Sequence, residues 1–190
     1  HAFGPLSAWL LWEALTSRRW RRHRVRAGGL TRYRVLTYMG DTVALADGTR
    51  IRPGDRIIDL HLDNHAIARR FERSPWLALQ VGVADLQMLD AWIRDGRFGP
   101  IRALRGVTLL VTVGRRLGFE VRPLKWSWQT WMRRYFLVGL EAVYHPGGLA
   151  RLDRHPERRW PAELWMSAAA LHGYVEELVV GREPERVGQG

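Results

Sequence analysis

Cysteine is absent from all 190 residues, which excludes disulfides, thiolate zinc sites and a cysteine nucleophile together. Lysine is almost absent: of 30 basic residues, only Lys125 is not an arginine. No stretch reaches the ~18 consecutive apolar residues of a membrane-spanning helix. The opening segment HAFGPLSAWLLWEALTSRRW has no charged stretch ahead of its apolar run and carries Glu13 inside it, a poor match to a signal peptide. There is no Gly-x-Ser-x-Gly elbow, no Walker loop and no dinucleotide fingerprint. Internal repeats and low-complexity linkers are lacking as well, so one domain over residues 1–180, followed by a polar tail at 181–190, is the expected organisation.

Acids are scarce relative to bases, 19 against 30, and the formal net charge is +11. Such a balance favours an anionic partner, and arginine in particular presents a planar fork of donors suited to phosphate and carboxylate. A G- and C-rich coding bias or a hot habitat would also produce arginine in place of lysine. The basic residues cluster: the segment 18–34 holds Arg18, Arg19, Arg21, Arg22, Arg24, Arg26, Arg32 and Arg34 and no acid. Trp20, His23 and Tyr33 are interleaved with them. The segment RPLKWSWQTWMRRYF (122–136) repeats the mixture with Trp126, Trp128, Trp131, Arg133 and Arg134. Most of the ten tryptophans are read as core, while exposed tryptophan beside arginine suits a membrane interface, a sugar face or stacked nucleobases.

Local patterns define the elements. An amphipathic helix is expected over 4–22. Strands are expected at Tyr33–Met39, Thr42–Ala46, Ile51 and 56–63, punctuated by the Asp47-Gly48 and Pro53-Gly54-Asp55 turns. Short turns force antiparallel pairing, so residues 31–63 are expected to form a small antiparallel β-meander. Ser74-Pro75 opens a helix that ends at Gly96, with Leu77, Val81, Ala84, Met88 and Trp92 on one apolar stripe and Leu79, Val83, Leu86 and Ile93 on a second. A helix over 101–117 stopped by Gly118, a strand at 119–124 and a helix over 129–144 follow. Ala162–Met166 is expected as a strand, with Ser167 capping a last helix. The fold class is thus α+β, the meander packed by several helices in a single domain.

Within this frame the segment GDRIIDLHLDNHAI (54–67) is the candidate site. A strand sends alternate side chains to opposite faces, so Ile58, Leu60 and Leu62 share one face while Asp59, His61 and Asp63 share the other, ~7 Å apart at each step. An imidazole beside carboxylates suits general acid–base work, because the carboxylates favour its charged form. His61, Asp59 and Asp63 are therefore the catalytic candidates. Asn64, His65, Arg34, Arg133, Arg134 and Trp128 are the ligand-binding candidates. The spacing His61-x-Asp63-x-His65 would suit a metal only if the strand continued past Asn64. Asp-Asn usually ends a strand, so no metal and no cofactor is expected. The bland reading keeps His61 and Asn64 as hydrogen-bonding residues at a strand end, with Asn64 capping a helix over 65–73.

The run GDTVALADGTRIRPGDRIIDLHLDN, with its Asp-Gly turn, Gly-Asp turn and LH-x-x-N strand end, resembles the YkoP-like domain of Gram-positive bacteria. RGVTLLVTVGRRLGFEV, HPGGLARL and ELWMSAAAL are similar to that family's downstream half. Gly54, Asp55, His61 and Asn64 match its motif. Some members are fused to polysaccharide deacetylase modules, so the resemblance implies a role in cell-envelope polysaccharide or lipid metabolism. The leading expectation is an accessory protein that binds an anionic glycan or a lipid headgroup on a lipid-linked precursor, cytoplasmic and with peripheral membrane contact. The alternatives are a hydrolase or transferase centred on His61, and a nucleic-acid-binding protein using the arginine and tryptophan surfaces. The last ranks behind because no helix-turn-helix, RNA-recognition or zinc-finger pattern is present.

Overall fold

The computed structural model describes residues 25, 29–62, 75–108, 111–124 and 161–180. In chain order these form β1 (Thr31–Thr37), β2 (Val43–Ala44), β3 (Arg50–Ile51), β4 (Arg56–Leu62), α1 (Pro75–Arg94), β5 (Ala103–Thr108), α2 (Val111–Arg116), β6 (Glu120–Pro123), β7 (Ala162–Ser167) and α3 (Ala168–Val180). The architecture is α+β. β1, β4, β5, β7 and β6 lie side by side in one mixed sheet, and β2 and β3 form a separate hairpin.

The turns do what their residues dictate. Gly48 (φ 83) follows Asp47, whose Oδ1 accepts the Thr49 amide at 2.9 Å. Gly54 (φ 97) completes the Pro53 turn. The strands that flank the hairpin pair antiparallel, from Thr31 opposite Leu62 to Thr37 opposite Arg56. The antiparallel expectation for 31–62 therefore holds, but the connectivity is not a simple meander. β4 neighbours β1 and β5, and β2–β3 is an excursion between them. β4 and β5 run parallel, joined across α1 as parallel neighbours require.

The expected helix over 101–117 is instead a strand, a short helix and the break between them. β5 sits in the middle of the sheet, with Ala103, Leu104, Gly106 and Thr108 all buried. A strand covered on both faces loses the apolar–polar alternation and reads like a buried helix. Gly118 (φ 82) does stop α2: its amide donates to the Arg115 carbonyl and the Phe119 amide to the Gly114 carbonyl, each at 3.0 Å. This is the paired hydrogen-bonding pattern that glycine permits at a helix end. Gly96 (φ 69) closes α1 the same way through Ile93 and Trp92. The Ser167 Oγ accepts the Ala170 amide at 2.8 Å and caps α3, as its sequence position predicts.

Each central strand gives neighbouring residues to two cores. Ile58, Leu104 and Met166 join Leu86, Leu89, Phe119, Leu171 and Val175 beneath α1 and α3. Ile57, Ala103 and Trp165 join Tyr38, Leu45 and Ile51 beneath the hairpin. The buried face of α1 is not its most apolar stripe. Leu77 and Met88 are exposed, whereas Asp85 and Asp90 are buried along with Leu86 and Leu89. Patterning places aspartate outward, but inside Asp85 is hydrogen-bonded and Asp90 is ion-paired. Asp85 Oδ2 accepts the Leu30 and Thr31 amides at 2.8 and 2.9 Å. Asp90 Oδ2 pairs with Arg94 Nη2 at 2.9 Å, and its Oδ1 lies 3.6 Å from His172 Nδ1. The expected helices over 4–22, 65–73 and 129–144, and the tail at 181–190, lie outside the described residues. No helix among the described residues is long and apolar enough to cross a membrane.

Candidate functional site

Register decides which predicted residues meet. Arg34 stands opposite Asp59 and Arg32 opposite His61 across β1 and β4, while Asp59 stands beside Arg105 across the parallel β4–β5 pair. The face of β4 that carries Asp59 and His61 is thus the one turned away from α1. Ile58 and Leu60 pack into the core on the other side. Arg34 Nη2 lies 3.7 Å from Asp59 Oδ2, and Arg32 is buried.

The polar face continues across the sheet as alternating charge. Arg105 is ion-paired to Glu163, and its guanidinium lies 5.4 Å from the centre of the Trp165 ring. The Trp165 Nε1–H donates to the other Glu163 oxygen at 3.1 Å. Arg122 Nε donates to Glu120 Oε1 at 2.7 Å, and Arg122 also donates to the Ala44 carbonyl. Glu120 Oε2 accepts the Ala46 amide at 2.8 Å. Glu120 and Arg122 therefore clamp the hairpin onto the sheet. Of the two β1 arginines on this face, Arg32 is buried and Arg34 faces Asp59.

Of the predicted site residues, Asp59, His61 and Arg34 come together on this face. Asp63, Asn64, His65, Trp128, Arg133 and Arg134 lie outside the described residues. Among the described residues, two concavities lie elsewhere, and Asp59 and His61 line neither.

The first is a cavity of about 240 Å³ between the inner face of the sheet, α1 and α2. Leu60 and Leu62 of β4, Gly106 of β5, Leu164 of β7, Leu79 and Gly82 of α1, and Val113 and Leu117 of α2 line it. Arg116 is the one charged residue among its described lining residues. A glycine inside a helix costs about 1 kcal/mol relative to alanine. Gly82 nevertheless occupies the cavity side of α1, where an added Cβ would meet nothing closer than Leu117 Cδ1 at 3.8 Å. The second is an open groove of about 710 Å³ lined by Arg50, Arg52, Arg56 and Arg102. Sequence reading singled out neither. The cavity is assembled from residues far apart in the chain. The groove had a local signal in RIRPGDR (50–56), which read only as a turn.

An acid in the β2–β3 turn ties the hairpin to the end of β7. Asp47 accepts a hydrogen bond from the Ser167 hydroxyl. Burial alone would push its carboxyl up. The Ser167 hydroxyl, the Thr49 amide and hydroxyl and the Asp47 amide outweigh that effect and hold it below the usual 3.8.

The family model described as the YkoP domain matches residues 4–175. A Bacillus subtilis (strain 168) protein named "Uncharacterized protein YkoP" is 32% identical over 98 residues, covering 47% of this chain. The match spans 53% of that relative, about half of its length. No solved structure matches the chain.

Proposed function

This chain belongs to the YkoP domain family, and we propose that it is an accessory protein of bacterial cell-envelope polysaccharide or lipid metabolism that binds the apolar chain of an anionic, lipid-linked precursor. The observation that carries the reading is the cavity between sheet, α1 and α2. Its described lining is aliphatic and aromatic apart from three glycines, two threonines and Arg116. At about 240 Å³ it lies just below the ~300 Å³ at which small-molecule sites begin, a size for one slender chain and too small for a glycan. Arg116 is exposed and supplies a cation for the head group of a chain so seated. Net charge of +11 draws anionic amphiphiles toward the molecule.

Titration with decyl phosphate, decanol and inorganic phosphate tests it. Decyl phosphate is expected to bind most tightly. Gly82→Leu, which fills the cavity from a helix position, is expected to weaken binding about tenfold or more while preserving or raising thermal stability. Arg116→Gln is expected to narrow the preference for decyl phosphate over decanol. Unchanged affinity in Gly82→Leu would sink the reading.

A further inference from the structure

β4 and β5 begin side by side at the end of the sheet opposite that cavity. There Arg50 of β3, Arg52 in the following turn, Arg56 at the start of β4 and Arg102 just before β5 line the open groove with a single carboxylate, Asp55. Asp55 is already engaged: its Oδ2 accepts the Arg52 amide at 2.7 Å. Among the described residues none of the four guanidinium groups is ion-paired to an acid.

Their positions are set by the fold. The Arg102 amide donates to the Arg56 carbonyl at 2.8 Å, which fixes the first residues of the two parallel strands next to each other. Arg102 Nε donates to the Arg50 carbonyl at 3.2 Å, so that guanidinium lies over β3. Arg56 Nη1 lies where a Cβ on residue 99 would come within 2.9 Å, and Gly99 has φ 66. The backbone conformation there favours glycine, and a Cβ would make the guanidinium shift.

Four cations gathered around one concavity repel one another until an anion is shared among them. Each guanidinium presents a fork of donors that matches phosphate oxygens two at a time. A carboxylate has only two oxygens to share among four such forks. A diphosphate has enough oxygens, and enough charge, to engage all of them. We propose that this groove is a binding site for a phosphate-bearing ligand, with diphosphate its preferred group. The group can arrive on a soluble ester or as the head of a lipid, and the recognition chemistry is the same. The site goes beyond the proposed apolar-chain cavity and does not depend on it.

The test titrates the full chain with inorganic pyrophosphate, inorganic phosphate and acetate at low and physiological salt. Co-sedimentation with vesicles of phosphatidic acid in phosphatidylcholine, against phosphatidylcholine alone, forms a second arm. Pyrophosphate is expected to bind more tightly than phosphate, and acetate not at all. The double variant Arg52→Gln/Arg56→Gln is expected to weaken pyrophosphate about tenfold or more, whereas Arg182→Gln/Arg186→Gln, which removes equal charge from residues 181–190, leaves it unchanged. Binding of phosphatidic acid vesicles alone, lost in the groove variant, assigns the phosphate to a lipid head and supports the site. Equal weakening by both double variants would reduce the effect to net charge and overturn the proposal. So would absence of binding in both arms, or binding of a single-stranded oligonucleotide that pyrophosphate fails to displace.

Discussion

Asp85 shows how a single buried side chain holds the start of the sheet. It is fully buried, and one oxygen accepts the two consecutive amides at the start of β1. Asp85→Ala leaves both amides without that acceptor, and each hydrogen bond to a charged group is worth about 1.5–3 kcal/mol. The expected loss is about 3 kcal/mol by urea unfolding, with Asp85→Asn intermediate because its amide oxygen still accepts. A loss below ~1 kcal/mol would mean that the two amides find other partners. Asp47 gives the pH dependence. Its folded-state carboxyl lies below 3.8, so its ionised form is the one the fold favours. The stabilisation is therefore present above the unfolded value and is lost as pH falls through the lower folded value. Asp47→Asn is expected to lower stability at neutral pH and to flatten the acid limb of a melting-temperature profile below about pH 4. A parallel acid limb in the variant would remove Asp47 from that account.

The caps that end the helices were the most legible elements, and they are also where a small change is expected to show. Gly118 sits at φ 82, and an added Cβ would lie 3.2 Å from Met166 Cε and 3.3 Å from Tyr174. Gly118→Ala combines left-handed strain with that crowding, so about 1–3 kcal/mol of destabilisation is expected, read from chemical denaturation. Gly48→Ala has the same backbone cost with nothing within 4 Å and is expected to lose less. Gly96, Gly118, the Asp47-Gly48 turn and the Ser167 cap could be read from sequence because each depends on one residue's own backbone or side chain. β5 could not, since its character comes from neighbours on both sides: Ile57 to Leu60 of β4 and Ala162 to Ser167 of β7. The orientation of α1 failed for a related reason. Asp85 and Asp90 are inward only because the Leu30 and Thr31 amides, Arg94 and His172 are there to receive them. The β4 face was legible, as strand alternation alone places Asp59 with His61. That Arg34 and Arg32 stand opposite them needed the β1–β4 register.

At the scale of the molecule, β4 and β5 connect two concavities of opposite character. The aliphatic cavity is built where these strands end, at Leu60, Leu62 and Gly106. The arginine groove is built where they begin, at Arg56 and Arg102. Six residue steps along β4, at roughly 3.3 Å each, separate Arg56 from Leu62 by about 20 Å. Between them lie Ile57 and Ile58, fully buried in the two cores. A packed sheet centre of this kind has no loop or hinge to transmit a change, and sites that far apart with no shared residue are expected to act independently. Saturating the groove with pyrophosphate is therefore expected to leave the affinity for decanol within about twofold of its value alone, because coupling requires two states that the ligands bind unequally. Decanol is the appropriate probe, since it carries no phosphate that the groove could capture. Reciprocal titrations by calorimetry measure this directly. A change of tenfold or more, equal in both directions, would mean that the sheet moves as a two-state element between the sites, and the picture of two independent pockets on a rigid pair of strands would have to be given up.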